Sequence, residues 1–147
     1  MQLSPLRLEK LFYTKLHIDA NVDVKGSEHA DNIDTQVECH YQPDNPRLWM
    51  VVLRVRYGSD ESHYLIDLEV IGFFDVHCEY PEEKVKTLVS VNGPAVLYGS
   101  AREMVSNLTA RGPHEMVDLP TVSFIDMAEE VSRKKPVKRR RKSMKKK

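Results

Sequence analysis

The chain has 147 residues, 41% hydrophobic and 30% charged, with two cysteines; that suits one soluble domain burying roughly two thirds of its unfolded surface and excludes a disulfide framework. Its 22 basic and 22 acidic residues balance, but eleven of the basic and none of the acidic fall between Arg133 and Lys147. Residues 1–132 therefore carry eleven basic against 22 acidic side chains, a formal −11 beside a +11 tail.

At the start, Glu9 and Lys10 interrupt the apolar core that a signal peptide needs, and the longest strongly apolar run, Leu48 to Leu53, is far too short to cross a bilayer. A cytoplasmic protein with reduced Cys39 and Cys78 is the expectation. Leu6 to Ile18 alternates, with Leu6, Leu8, Phe12, Leu16 and Ile18 in one phase and Arg7, Glu9, Lys15 and His17 in the other, which predicts a strand with one buried face. The polar stretch Val22 to Asn32 predicts a long surface connection. Thr35, Val37, Cys39 and Tyr41 then alternate with Gln36, Glu38 and His40 in a second strand.

Gln42 to Pro46 holds two prolines with Asp44 and Asn45 between them and predicts a turn. A third strand, Leu48 to Tyr57, places Trp49, Val51, Leu53, Val55 and Tyr57 on one face, and Gly58 to Ser62 turns it into a fourth, His63 to Val76. Both faces of that fourth strand are apolar: Tyr64, Ile66, Leu68, Val70, Phe74 and Val76 on one, and Leu65, Ile71 and Phe73 on the other. One helical layer covers only one face of an antiparallel sheet, so apolar surface is left for a partner.

After Tyr80-Pro81 the sequence predicts a short helix with Glu82 and Glu83 at its start, broken at Asn92-Gly93. A long helix follows, capped by Asn92, begun by Pro94 and stopped by a left-handed Gly112, with Leu97, Ala101, Met104, Val105 and Leu108 as its stripe. The segment from Pro113 to Phe124 is too apolar for a solvated linker, and a last amphipathic helix is expected from Ile125 to Arg133, capped by Ser123 or Asp126. The fold class expected is α+β: a four-stranded antiparallel sheet covered on one face by a long helix, with a short helix before it and an amphipathic helix after. Residues 1–132 form the domain and 133–147 a disordered basic tail.

No nucleophile with a placed base, no phosphate-binding Gly-rich loop and no paired carboxylates are recognisable, so the sequence predicts no enzyme and no cofactor. Cys39-His40 and His77-Cys78 suggest zinc, but neighbouring residues on a strand face opposite ways and no ligand pair recurs at finger spacing, so no metal is predicted and both cysteines are expected on core phases.

GPAVLYGSAREMVSNLTARG, the loop ending in DLPTVSF, and the segments LFYTKLHIDAN, MVVLRVRY and YLIDLEVIGFF resemble, in order, the SecB family of protein-export chaperones, over roughly Leu6 to Val131. The resemblance implies an ATP-independent holdase that binds unfolded preproteins in apolar grooves and hands them to the export machinery. Met116, Val117, Leu119, Val122, Phe124 and Ile125 are the residues it places at the groove. It implies a homotetramer, a dimer of dimers, with Leu97, Ala101, Met104, Val105 and Leu108 at the interface between long helices. It also implies docking of the basic, zinc-containing tail of the motor SecA on Asp19, Leu65 and Asp67, although Lys15 stands where the family carries an acid. A chaperone dedicated to a toxin–antitoxin pair is an alternative. A second is a tetrameric adaptor whose tail, with Arg139, Arg140, Arg141 and Lys142, meets nucleic acid or anionic membrane through nonspecific phosphate contacts.

Overall fold

A computed structural model describes residues 1–24 and 32–128. Its elements are β1 (Leu6–Ala20), β2 (Ile33–Gln42), β3 (Asn45–Tyr57), β4 (Tyr64–Val76) and α1 (Glu82–Thr109). The strands form one antiparallel sheet in the order β1-β4-β3-β2, and α1 lies across one face of it. The α+β architecture is the one expected. Arg139 to Lys142, the rest of the basic tail, most of the connection between β1 and β2, and the final helix beyond its first turn at 126–128 lie outside the described residues.

The sheet's core phase is set by strict alternation in β3 and β4. Val51, Leu53, Val55, Ile66, Leu68 and Val70 have no solvent exposure, and they meet Val89, Leu97, Ala101 and Val105 of α1. β1 departs from the expected single alternation. Its pairing with β4 slips between Leu8 and Lys10 and again between Tyr13 and Lys15. Each extra residue flips the phase of the residues after it, so Leu11 and Tyr13 pack on the core while Phe12 is carried to the opposite face beside Phe73, ring centroids 6.0 Å apart. The turn between β2 and β3 is also tighter than expected. Gln42 already pairs with Asn45, and β3 takes in Pro46.

The break expected at Asn92-Gly93 does not occur, and the short and long helices are one. Pro94 sits inside it, and Asn92 is no cap: its side-chain amide donates to the Leu88 carbonyl one turn back. Packing on both sides of the proline overrides the local stop. Val85 and Val89 bury the first half and Leu97, Ala101 and Val105 the second, and the helix comes so close at Gly93 that a side-chain carbon there would lie 3.0 Å from Val51. Nor is Gly112 left-handed; among described glycines only Gly58 has positive φ (89°). Gly112 is required for space, since a Cβ would come within 2.0 Å of the Tyr64 hydroxyl.

Candidate functional site

Two surfaces carry the residues singled out in the sequence: the segment after α1 and the sheet face that α1 leaves bare. The segment is not loose. Tyr98, Arg102 and Ser106, four residues apart on α1, present one polar edge to its backbone. The Tyr98 hydroxyl donates to the Pro120 carbonyl (2.5 Å), Arg102 Nε to the Leu119 carbonyl (2.9 Å), and Ser106 Oγ to the Val117 carbonyl (3.1 Å). Arg102 also pairs with Asp118 (3.1 Å), and Thr109 Oγ1 accepts the Val117 N–H (2.9 Å). As the helix positions rise the loop positions fall, so the segment runs back antiparallel along α1. Burial pushes the Tyr98 phenol up to about 12, with Arg102 opposing and Asp118 adding, so it stays a neutral donor. These polar residues were passed over in the sequence. Their signal is the i, i+4, i+8 spacing beside the apolar stripe.

The six residues expected at the groove divide under this pinning. Leu119 is fully buried and Phe124 is 6% exposed, with its ring edge-on to Tyr98 at 5.9 Å, so both anchor the segment to the core. Val117 and Val122 are half-buried and Met116 and Ile125 exposed. The anchoring begins at a corner where three elements meet. The Tyr64 hydroxyl accepts the His114 N–H (3.3 Å) and donates to the Thr109 carbonyl (3.3 Å). The His114 ring stacks on His63 at 4.3 Å, and its Nε2 donates to the Asn21 carbonyl (2.8 Å).

Of the five residues expected at the helix interface, Leu97, Ala101 and Val105 are wholly buried against the chain's own sheet. Met104 is half-buried and Leu108 exposed, as is Val96. The stripe's periodicity was legible, but a covering helix spends it on its own sheet first.

The bare sheet face is ordered by the pairing register into rows of four, each from β2, β3, β4 and β1 in turn. They run Asp34, Arg56, Asp67, His17; then Gln36, Arg54, Glu69, Lys15; then Glu38, Val52, Ile71, Phe12; then His40, Met50, Phe73, Lys10. On the two central strands one end is thus charged, Arg56 and Arg54 of β3 beside Asp67 and Glu69 of β4, and the other apolar, Val52 and Met50 beside Ile71 and Phe73, while Glu38, His40 and Lys10 keep charge at the sheet edges. Asp19 and Leu65 stand opposite each other just beyond the first row, so the three residues expected at the docking face do come together. Asp67, however, is already engaged by Lys15 and lies 3.6 Å from Arg56, and Asp19 pairs with His17 (2.7 Å). Arg54 bridges Glu69 (2.5 Å) and Glu38 (2.6 Å). Hydrogen bonds hold the carboxyls below their usual range: Lys15 chiefly for Asp67, Thr14 for Glu69 and Arg54 for Glu38.

At the apolar end the face runs into a depression of about 480 Å³ lined by Tyr41, Pro43, Leu48, Trp49, Met50 and Phe73 among others, which sequence reasoning missed because it joins residues of opposite phase around a hairpin end. Cys78 lies past β4 and is exposed, against the core position expected, because the strand has ended before it. Cys39 is half-buried, and burial raises its thiol. Among the described residues no three His, Cys, Asp or Glu are grouped to hold a metal, and no helix is long and apolar enough to cross a membrane.

A family model described as preprotein translocase subunit SecB matches residues 4–135. An uncharacterized protein of Methanocaldococcus jannaschii is 28% identical over 100 residues, which cover 65% of this chain and 63% of that one. The protein-export protein SecB of Rhodospirillum centenum is 24% identical over 112 residues (74% and 67%), and that of Acidithiobacillus ferrooxidans 30% over 74 (50% and 48%). The chain therefore spans about half to two thirds of the length of these curated relatives. Among solved structures, the SecB-like chaperone of Mycobacterium tuberculosis in complex with a ChAD peptide from the HigA1 antitoxin has a similar fold, with a TM-score of 0.61 at 18% identity over 80% of this chain and 91% of that one.

Proposed function

The chain belongs to the SecB family, matched from residue 4 to residue 135, and from that premise we propose that it is a molecular chaperone: an ATP-independent holdase that keeps preproteins unfolded by covering their apolar segments and passes them to the export machinery. The observation that carries the reading is the segment after α1. Leu119 and Phe124 hold it to the core and the Tyr98–Arg102–Ser106 edge fixes its backbone, while Met116 and Ile125 are left 55% and 67% exposed beside half-buried Val117 and Val122. A rigid support under exposed apolar side chains suits capture of extended chain, because the ordering cost falls on the client alone. Each Å² of client apolar surface covered contributes roughly 25 cal/mol before ordering costs, which favours long unfolded stretches over folded proteins.

The test is suppression of aggregation of a reduced, unfolded client without nucleotide. Suppression that falls when Met116 and Ile125 are changed to Ser supports the proposal; no suppression at a one-to-one ratio of assembled chaperone to client sinks it. A second reading, a chaperone dedicated to one antitoxin, is favoured by the antitoxin peptide bound to the similar M. tuberculosis chaperone. A toxin–antitoxin pair encoded beside this chain, with its antitoxin captured in preference to unfolded preproteins, would select that reading.

A further inference from the structure

The apolar end of the sheet face that α1 leaves bare carries aromatic rings, and we propose that it is a stacking platform for single-stranded RNA, with the basic tail supplying the phosphate contacts. Phe12 of β1 and Phe73 of β4 lie side by side there, ring centroids 6.0 Å apart and planes tilted by 35°. Phe73 is 39% exposed. Phe12 reaches this face only because β1 changes phase between Leu8 and Lys10, so the bulge brings a second ring beside the first. Lys10 stands over the Phe12 ring, its Nζ 5.5 Å from the centroid, where a phosphate beside a stacked base comes within its reach. Past Met50 of β3 the lane ends in the depression of about 480 Å³, whose lining includes Tyr41, 58% exposed, with His40 and Gln42 as polar groups able to bond a base edge or a ribose hydroxyl. Four strands about 4.8 Å apart make the lane roughly 14 Å wide, room for the two or three bases that a four-stranded platform stacks.

Charge decides how the work is divided. Residues 1–132 carry a formal −11, so the sheet by itself repels a polyanion and can add only stacking. The tail from Arg133 to Lys147 carries eleven Lys or Arg and no acid, so the attraction comes from there. The 19 residues past Ala128 span at most about 65 Å, more than the ~50 Å of a strand as long as β1, so the tail's reach is enough to follow a strand of RNA across the sheet. It holds no Phe, Tyr or Trp, so it draws in phosphate without telling one polyanion from another. The rings supply that distinction, because a single strand offers its bases for stacking whereas a duplex hides them and an anionic membrane has none. An apolar client segment is the rival occupant, and its binding would owe nothing to the tail.

The proposal does not rest on the chaperone reading, and its test uses no client. Full-length chain is titrated against a labelled oligouridine of about 16 nucleotides, within the site size of single-strand platforms, and binding is read by fluorescence anisotropy across a salt series. Saturable binding that weakens with salt is expected, and its absence overturns the proposal. Phe12→Leu with Phe73→Leu keeps the surface apolar and removes both rings; it should weaken binding about fivefold or more and leave the salt slope unchanged. Arg139→Gln, Arg140→Gln and Arg141→Gln together should flatten that slope by about two units, and a slope left unchanged overturns the tail's part. A ring variant that binds like the parent means that the tail alone attracts RNA, which overturns the platform, as does duplex RNA of the same length bound as tightly as the single strand. A second measurement needs no variant: ultraviolet cross-linking of the parent chain should join the oligouridine to peptides holding Phe12, Tyr41 or Phe73. Cross-links confined to residues 133–147 also overturn the platform.

Discussion

Tyr98 shows how much of this surface hangs on single groups. Its ring is 4% exposed and its hydroxyl reaches the Pro120 carbonyl, so the chain returning along α1 is tied by a donor that must stay neutral. The folded phenol is raised from 10.0 to about 12. Its stabilisation is therefore fully present below the unfolded value and lost as pH rises toward the folded one. Tyr98→Phe should cost about 1 kcal/mol at neutral pH through the lost hydrogen bond, and the gap to the parent in denaturant midpoint should narrow above pH 10. A gap that stays constant there contradicts the assignment. In the sequence Tyr98 was one more residue beside a stripe, because no local pattern says that a backbone will return along that edge.

At the scale of elements, β1 and α1 show where periodicity stops. The alternation of β3 and β4 was legible because no bulge interrupts the pairing between them, whereas β1 changes phase twice. Leu11 and Tyr13 pack on the core, in line with Leu6 and Ile18, only because two extra residues are absorbed on an edge strand. Phe12, in the middle, belongs to the other face. In α1 the local stop signals at 92–94 are real but lose to packing. Pro94 lacks the N–H that would reach the Ser90 carbonyl, while Ser90 Oγ bonds the Lys86 carbonyl (2.7 Å). Pro94→Ala restores that donor and removes the ring clash, at the expense of some buried surface. It should raise stability to chemical denaturation by about 1–2 kcal/mol; a drop would mean that the ring's packing outweighs the helix penalty.

Across the whole molecule, charge is sorted by sequence position and then by face. The bare sheet face pairs Asp67, Glu69 and Glu38 internally, so the excess acid of residues 1–132 resides mostly elsewhere. Asp67, Glu69 and Glu38 titrate below their ordinary values in the fold, so their contribution is present above the unfolded carboxylate range near pH 4 and disappears as pH falls through the folded values. Thermal midpoints should thus drop between about pH 5 and 3. Lys15→Met should flatten that drop, because Lys15 is the largest cause for Asp67; an unchanged acid limb would remove the pair from the account.

The sequence by itself determined the α+β class, the strand count, the core phase of β3 and β4, the apolar segment after the helix and the family, since each rests on local periodicity or on motifs read in order. Only the tertiary structure decided that one helix runs through Pro94, that Phe12 leaves the core, that Leu119 and Phe124 anchor rather than line a surface, and that Asp67 is already paired. Those outcomes depend on packing and register between residues far apart in the chain, and no local pattern carries that information.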